Sequence, residues 1–94
     1  MGKLTAEKIT SELKRLPGWK FMNNCIVKEF TFASYMAGIA FVNQVATLAE
    51  THNHHPDLGV GWCRVKVSFT SHDTGGVTER DIHMAQEVSH LVES

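Results

Sequence analysis

Cys63-Arg64-Val65-Lys66-Val67-Ser68-Phe69 is the stretch that decides the fold class. Cys63, Val65, Val67 and Phe69 alternate with Arg64, Lys66 and Ser68, so a strand here turns one face to a core and the other to water. Such alternation belongs to an antiparallel sheet with one solvated side, because strands buried on both faces read as continuous apolar runs. Trp62 has the parity of the polar face. Upstream, Trp19 to Met22 and Cys25 to Phe32 are rich in strand formers. Asn23-Asn24 between them supplies a tight turn, which predicts a hairpin. A fourth strand has two candidate places, Leu58 to Gly61 or just before Val77.

Helices surround these strands. Thr5 caps a first helix expected to run to Arg15 with Ile9, Leu13 and Leu16 on one face, stopped by Pro17-Gly18. Ser34 caps a second reaching Thr51. Tyr35, Ile39, Val42, Ala46 and Ala49 recur at alternating spacings of four and three, which predicts a core face. Met36, Phe41, Val45 and Leu48 lie elsewhere around it, and the polar face is narrow: Asn43, Thr47 and Glu50, with Gln44 at its side. A helix this apolar in a small domain is expected to bury a second face by self-association. Ser71-His72-Asp73-Thr74-Gly75-Gly76 is a loop by composition. Thr78 caps a last helix striped by Ile82, Ala85, Val88 and Val92, and Asp81 is placed to reach back to the cap's N–H. The order α-β-β-α-β-α describes an α+β domain, a small antiparallel sheet with helices on one face.

Composition narrows the function. Ninety-four residues suit one domain, spanning 1–94, whose modest core makes oligomerisation a source of added stability. Lys and Arg number 9 against 10 Asp and Glu, without the basic stripe of a nucleic-acid binder. Cys25 and Cys63 form no C-x-x-C pair, so a zinc knuckle is not expected and the thiols are read as free. Met1-Gly2-Lys3-Leu4-Thr5 lacks the apolar run of a signal peptide, and Ala6 stands where a myristoylation signal needs Ser or Thr. The apolar run from Met36 to Val42 is too short to span a bilayer. The expected home is the cytoplasm, with no membrane or direct nucleic-acid partner.

Glu50-Thr51-His52-Asn53-His54-His55-Pro56 carries the chemistry, with three of the chain's 6 histidines. Three readings stand side by side. Histidines at a helix end favour the C-terminal dipole and bond the last carbonyls. A metal site would need His54 or His55 with His72 and Asp81 or Glu50, but His52 and His54 do not share a helical face and no H-E-x-x-H is present. An acid–base site would use imidazoles lining a pocket, since imidazole is the side chain that titrates nearest neutrality. Pro56 could aim His54 and His55 differently, His72 could close the pocket from the sheet side, and Asp81 could orient one of them.

Glu50-x-x-x-His54-His55-Pro56, followed by Trp62, His72 and Arg80-Asp81, resembles the pattern of the pterin-4a-carbinolamine dehydratases. Members of this family in animals double as a dimerisation cofactor of a homeodomain transcription factor. The resemblance runs from Leu16-Pro17-Gly18-Trp19 through Phe30-x-Phe32 to Thr78-Glu79-Arg80-Asp81. It implies a four-stranded antiparallel sheet with three α-helices packed on one face. It also implies dehydration of 4a-hydroxytetrahydrobiopterin to the quinonoid dihydropterin, which recycles the cofactor of aromatic amino acid hydroxylases without metal or organic cofactor. By position, His54 and His72 match the acid–base pair, His55 a third histidine that binds and orients substrate, and Asp81 the acidic member of the catalytic set. Glu50, His55, Trp62 and Ser71 are the implied substrate contacts. A homodimer or homotetramer is implied as well. His52, His83 and His90 match no role and are expected on the surface. Asn53 stands where many relatives carry Asp, Leu58 where an aromatic residue often follows, and Trp62 where Tyr is common; these touch the pocket walls more than the reaction. Two rival functions are an interaction module acting as a dimerisation cofactor or transcriptional coactivator, and a pterin-binding role in molybdopterin metabolism.

Overall fold

In the computed structural model, which describes residues 2–92, the elements are α1 (Ala6–Leu13), β1 (Lys20–Met22), β2 (Cys25–Thr31), α2 (Tyr35–His52), β3 (Asp57–Gly61), β4 (Arg64–Phe69) and α3 (Glu79–Val92). The strands form one antiparallel sheet in the order β1-β2-β4-β3. The alternating stretch is therefore a central strand. Val65, Val67 and Phe69 are fully buried beneath the helices, with Ile26 and Phe30 of β2 beside them. Burying such a side chain is worth about 1.5–3 kcal/mol, so this row contributes much of the core. The fourth strand lies at the first of its two candidate places and forms a sheet edge; before Val77 only an isolated bridge, Ser71 with Gly76, is present. Among the described residues no helix is long and apolar enough to cross a membrane.

The turns follow from local chemistry. Asn23 and Asn24 have φ of 52° and 62°, the two left-handed residues of a type I′ hairpin turn. Thr5 and Ser34 accept hydrogen bonds at 3.1 Å from the Lys8 and Ala37 N–H groups, as helix caps do. The last turn before Pro17 tightens, with Arg15 N–H on Glu12 O and Leu16 N–H on Leu13 O. For that reason α1 ends at Leu13 rather than Arg15.

Four other expectations are corrected. Trp19 lies outside β1; its ring is buried, and its Nε1–H donates to Ser89 Oγ at 2.9 Å. Gly18, at φ 89°, turns the chain there, beneath the Lys28 side chain. Cys63 does not start the central strand. It sits at φ 59° in the turn Trp62-Cys63 that joins β3 to β4, where its carbonyl accepts from Phe32 N–H. The core face of α2 is Gly38, Phe41, Val45 and Ala49; of the expected stripe Ala49 is buried and Val42 packs partly against the core, while Tyr35 and Ala46 face outward. Phe41 decides it, since its ring meets Phe30 and Phe32 with centroids 4.8 and 5.1 Å away. Tyr35 and Met36 point outward instead, 48% and 70% exposed. On α3, Val92 is exposed, whereas Met84 and Ser89 join Ile82, Ala85 and Val88 inside.

Candidate active site

The site is built where α2 ends. Asn53 takes a left-handed conformation (φ 50°, ψ 42°), which Asn tolerates better than most side chains. The chain then doubles back, and His54 N–H bonds Ala49 O at 3.1 Å, five residues earlier, as in a Schellman closure. This reversal separates two adjacent imidazoles. His54 is driven inward, 9% exposed, with its ring nearly parallel to that of Phe69 at 6.0 Å. His55 stays on the surface, where Nε2 meets Glu50 Oε2 at 2.5 Å.

The first turn of α3 supplies the partner of His54. Asp81 is fully buried, and its Oδ1 lies 2.5 Å from His54 Nε2. Its Oδ2 accepts from the Thr78 N–H at 2.8 Å and from the Ser71 hydroxyl at 2.9 Å. The first of these is the expected capping bond, so one carboxylate both starts the helix and holds the imidazole. Two donors on Oδ2 favour this carboxyl as the acceptor toward His54, an arrangement that suits a proton on Nε2. The Asp81 contact engages Nε2 and not Nδ1.

His72 lies on the Ser71–Gly76 loop and is exposed. It lines a cleft of about 230 Å³ with Asn23, Asn24, Cys25, Thr70, Gly75 and Gly76. Asn24 Nδ2 donates to Gly75 O and Thr70 Oγ1 donates to Asn24 O, both at 2.9 Å, so the β1–β2 turn anchors this loop. Arg80 bonds Asp73 at 2.7 Å from the other side and holds that carboxyl below its ordinary range. Burial, followed by the charges of Asp57 and Asp81, pushes the Cys25 thiol up.

Of the residues singled out by sequence, the structure joins His54, Asp81 and Ser71 directly, and His55 with Glu50. Ser71 is buried with its hydroxyl committed to Asp81. Trp62, 79% exposed, sits at the turn end of the β3–β4 hairpin, whereas His54 precedes its opposite end. Four residue steps of strand separate those ends, roughly 13 Å. The Thr78 hydroxyl, 2.9 Å from Ser71 Oγ, and the Phe69 platform were not anticipated. The Thr-x-x-Asp spacing carried part of the Thr78 signal; nothing local marks a strand phenylalanine as the support of a distant histidine. His52 and His83 are exposed and meet edge to face at 5.5 Å. Among the described residues no three His, Cys, Asp or Glu side chains converge as a metal ion would require.

The family described as Pterin 4 alpha carbinolamine dehydratase matches residues 2–91. A protein of Aquifex aeolicus, provisionally named a pterin-4-alpha-carbinolamine dehydratase, is 46% identical over 90 residues, covering 96% of this chain and 91% of its own. A crystal structure from Brucella melitensis, described as a transcriptional coactivator/pterin dehydratase, superposes with a TM-score of 0.91 at 32% identity, covering 96% of this chain and 98% of its own. A pterin dehydratase-like protein, described as a RuBisCO assembly factor in the alpha-carboxysome, gives a TM-score of 0.67 at 25% identity over 81% of this chain and 88% of its own. With its α+β sheet, its buried histidine–aspartate pair and a family match over nearly its whole length, this chain belongs to the pterin 4 alpha carbinolamine dehydratase family.

Proposed function

We propose that this chain removes water from a 4a-hydroxytetrahydropterin, giving the quinonoid dihydropterin, with His54 and His72 as the acid–base pair. The observation that carries the reading is the buried His54–Asp81 contact at 2.5 Å. In the reaction the C4a–O bond breaks as the departing hydroxyl gains a proton. The N5–H bond gives its electron pair to the new C4a=N5 double bond, and its proton passes to a base. One imidazole donates, the other receives, and the two protonation states are restored through solvent. Positioned proton transfer of this kind is worth roughly 10²–10⁴-fold. Asp81 supports it by holding Nε2–H and by stabilising positive charge when His54 is protonated. His55, paired with Glu50 on the surface, is assigned to substrate orientation. The physiological role proposed is recycling of the hydroxylase cofactor by a homodimer or homotetramer in the cytoplasm.

A crystal structure with a bound reduced pterin tests this. The expected pose puts the C4a–N5 edge within hydrogen-bond reach of His54 Nδ1, with His72 on the same ligand. A pterin bound away from both histidines would overturn it. A second reading, an interaction module, draws on the exposed Tyr35 and Met36 of α2 and on the coactivator and assembly-factor descriptions of the two structural relatives. It gives no use to a buried imidazole held by a carboxylate, so the dehydratase reading is preferred.

A further inference from the structure

We infer that Ser71 and Thr78 are positioning residues that set the proton of His54 and tie it to the loop carrying His72. The kinetic part of this inference rests on the dehydratase reading; the proton placement does not. Ser71 Oγ donates to Asp81 Oδ2 at 2.9 Å, which spends its only hydrogen. The 2.9 Å contact between Ser71 and Thr78 must therefore run from the Thr78 hydroxyl to Ser71 Oγ. Thr78 Oγ1 in turn accepts from Arg80 N–H at 3.3 Å. Every bond in this chain points the same way, from the first turn of α3 through two hydroxyls into the carboxylate. Asp81 is left as a pure acceptor, facing Nε2–H of His54. Ser71, Thr78 and Asp81 are all buried, so water does not compete for these bonds.

Ser71 does a second thing with its backbone. Its carbonyl accepts from the N–H groups of Thr74, Gly75 and Gly76 at 3.1, 2.9 and 3.2 Å, and its own N–H donates to Gly76 O at 3.0 Å. That set closes the loop holding His72, the next residue. One side chain thus orients the buried imidazole, and the same residue's main chain frames the exposed one. Loss of the hydroxyl leaves Thr78 Oγ1 as the nearest replacement donor, 3.5 Å from Oδ2 and too long for a good bond.

The test uses uniformly ¹⁵N-labelled full chain, reading the His54 ring nitrogens by two-bond ¹⁵N–¹H correlation beside steady-state dehydratase kinetics. The native protein is expected to show Nε2 protonated and Nδ1 bare. Ser71→Ala removes one of the two donors on Oδ2 that keep this carboxyl the acceptor, so the second tautomer should appear and kcat should fall about tenfold, as loss of a hydrogen bond to a charged group implies, with KM within about twofold. Thr78→Val should produce the same tautomer mixture, and Thr78→Ser should restore the native pattern. A single Nε2–H tautomer in Ser71→Ala, or equal behaviour of Thr78→Val and Thr78→Ser, overturns the inference. Should Ser71→Ala not fold, the Thr78 pair decides alone. Should the native protein lack dehydratase activity, the ring pattern still decides the positioning role while the dehydratase reading falls.

Discussion

Replacing Asp81 with Asn changes one atom and is expected to invert the chemistry of His54 without losing the fold. Asp81 accepts three good hydrogen bonds, from Thr78 N–H at 2.8 Å, from Ser71 Oγ at 2.9 Å and from His54 Nε2 at 2.5 Å. The Asn amide oxygen can serve the first two, which forces its NH2 toward His54. Donor then meets donor, and His54 relieves the clash by moving its proton to Nδ1. Each bond loses its charge assistance, about 1 kcal/mol apiece. Release from burying a carboxylate offsets part of that, leaving a net cost of about 2 kcal/mol, or a fall in Tm of roughly 8–16 °C for a domain this size. Under the proposed role of His54 the dehydratase rate should drop roughly 10²–10⁴-fold, because Nδ1 then carries the proton instead of Nε2. Thermal unfolding, ring-nitrogen NMR and a stopped-flow assay of 4a-hydroxytetrahydropterin decay check the three parts. Turnover within threefold of native, or an unchanged Nε2–H tautomer, would refute the reasoning.

Other outcomes follow from the same structure. Asp73 is held below its ordinary carboxyl range by Arg80, so the pair adds stability that is present above that range and lost as pH falls through the depressed value. The gap in Tm between native protein and Arg80→Gln should therefore close on acidification; a constant gap would count against the pairing. Burial raises the Cys25 thiol, so iodoacetamide at pH 8 should label it more slowly than a cysteine in an unstructured peptide, as mass spectrometry of the digested protein would read. Met36→Glu places a charge on the exposed apolar face of α2 and should lower the assembly mass by light scattering toward the 10.5 kDa chain. A native protein that already runs as a monomer removes that interface.

Much of the fold was legible because it is set locally. The alternation through Val65, Val67 and Phe69, the capping residues Thr5 and Ser34, the Asn23-Asn24 turn and the Thr78-to-Asp81 capping bond each act within a few residues. The face of α2 was not, since an apolar helix offers two stripes at helical spacing and only the fit of Phe41 between Phe30 and Phe32 chooses one. Cys63 kept the parity of the strand while taking up the turn, a choice made by the β3–β4 register. The site divides the same way. The histidine cluster and Asp81 are visible as residue types. That His54 goes in and His55 stays out depends on the left-handed Asn53, and that Ser71 serves Asp81 depends on the sheet bringing β4 to the start of α3.

The most direct test is the decay of freshly generated 4a-hydroxytetrahydropterin, followed by absorbance, with no protein, with native chain and with His54→Ala and His72→Ala. The native chain is expected to speed loss of the adduct well above its spontaneous rate, and each alanine variant to lose most of that acceleration while unfolding cooperatively like the native chain. A native chain that leaves the spontaneous rate unchanged, or folded variants that keep the native acceleration, would contradict the assignment of the buried His54–Asp81 pair to catalysis.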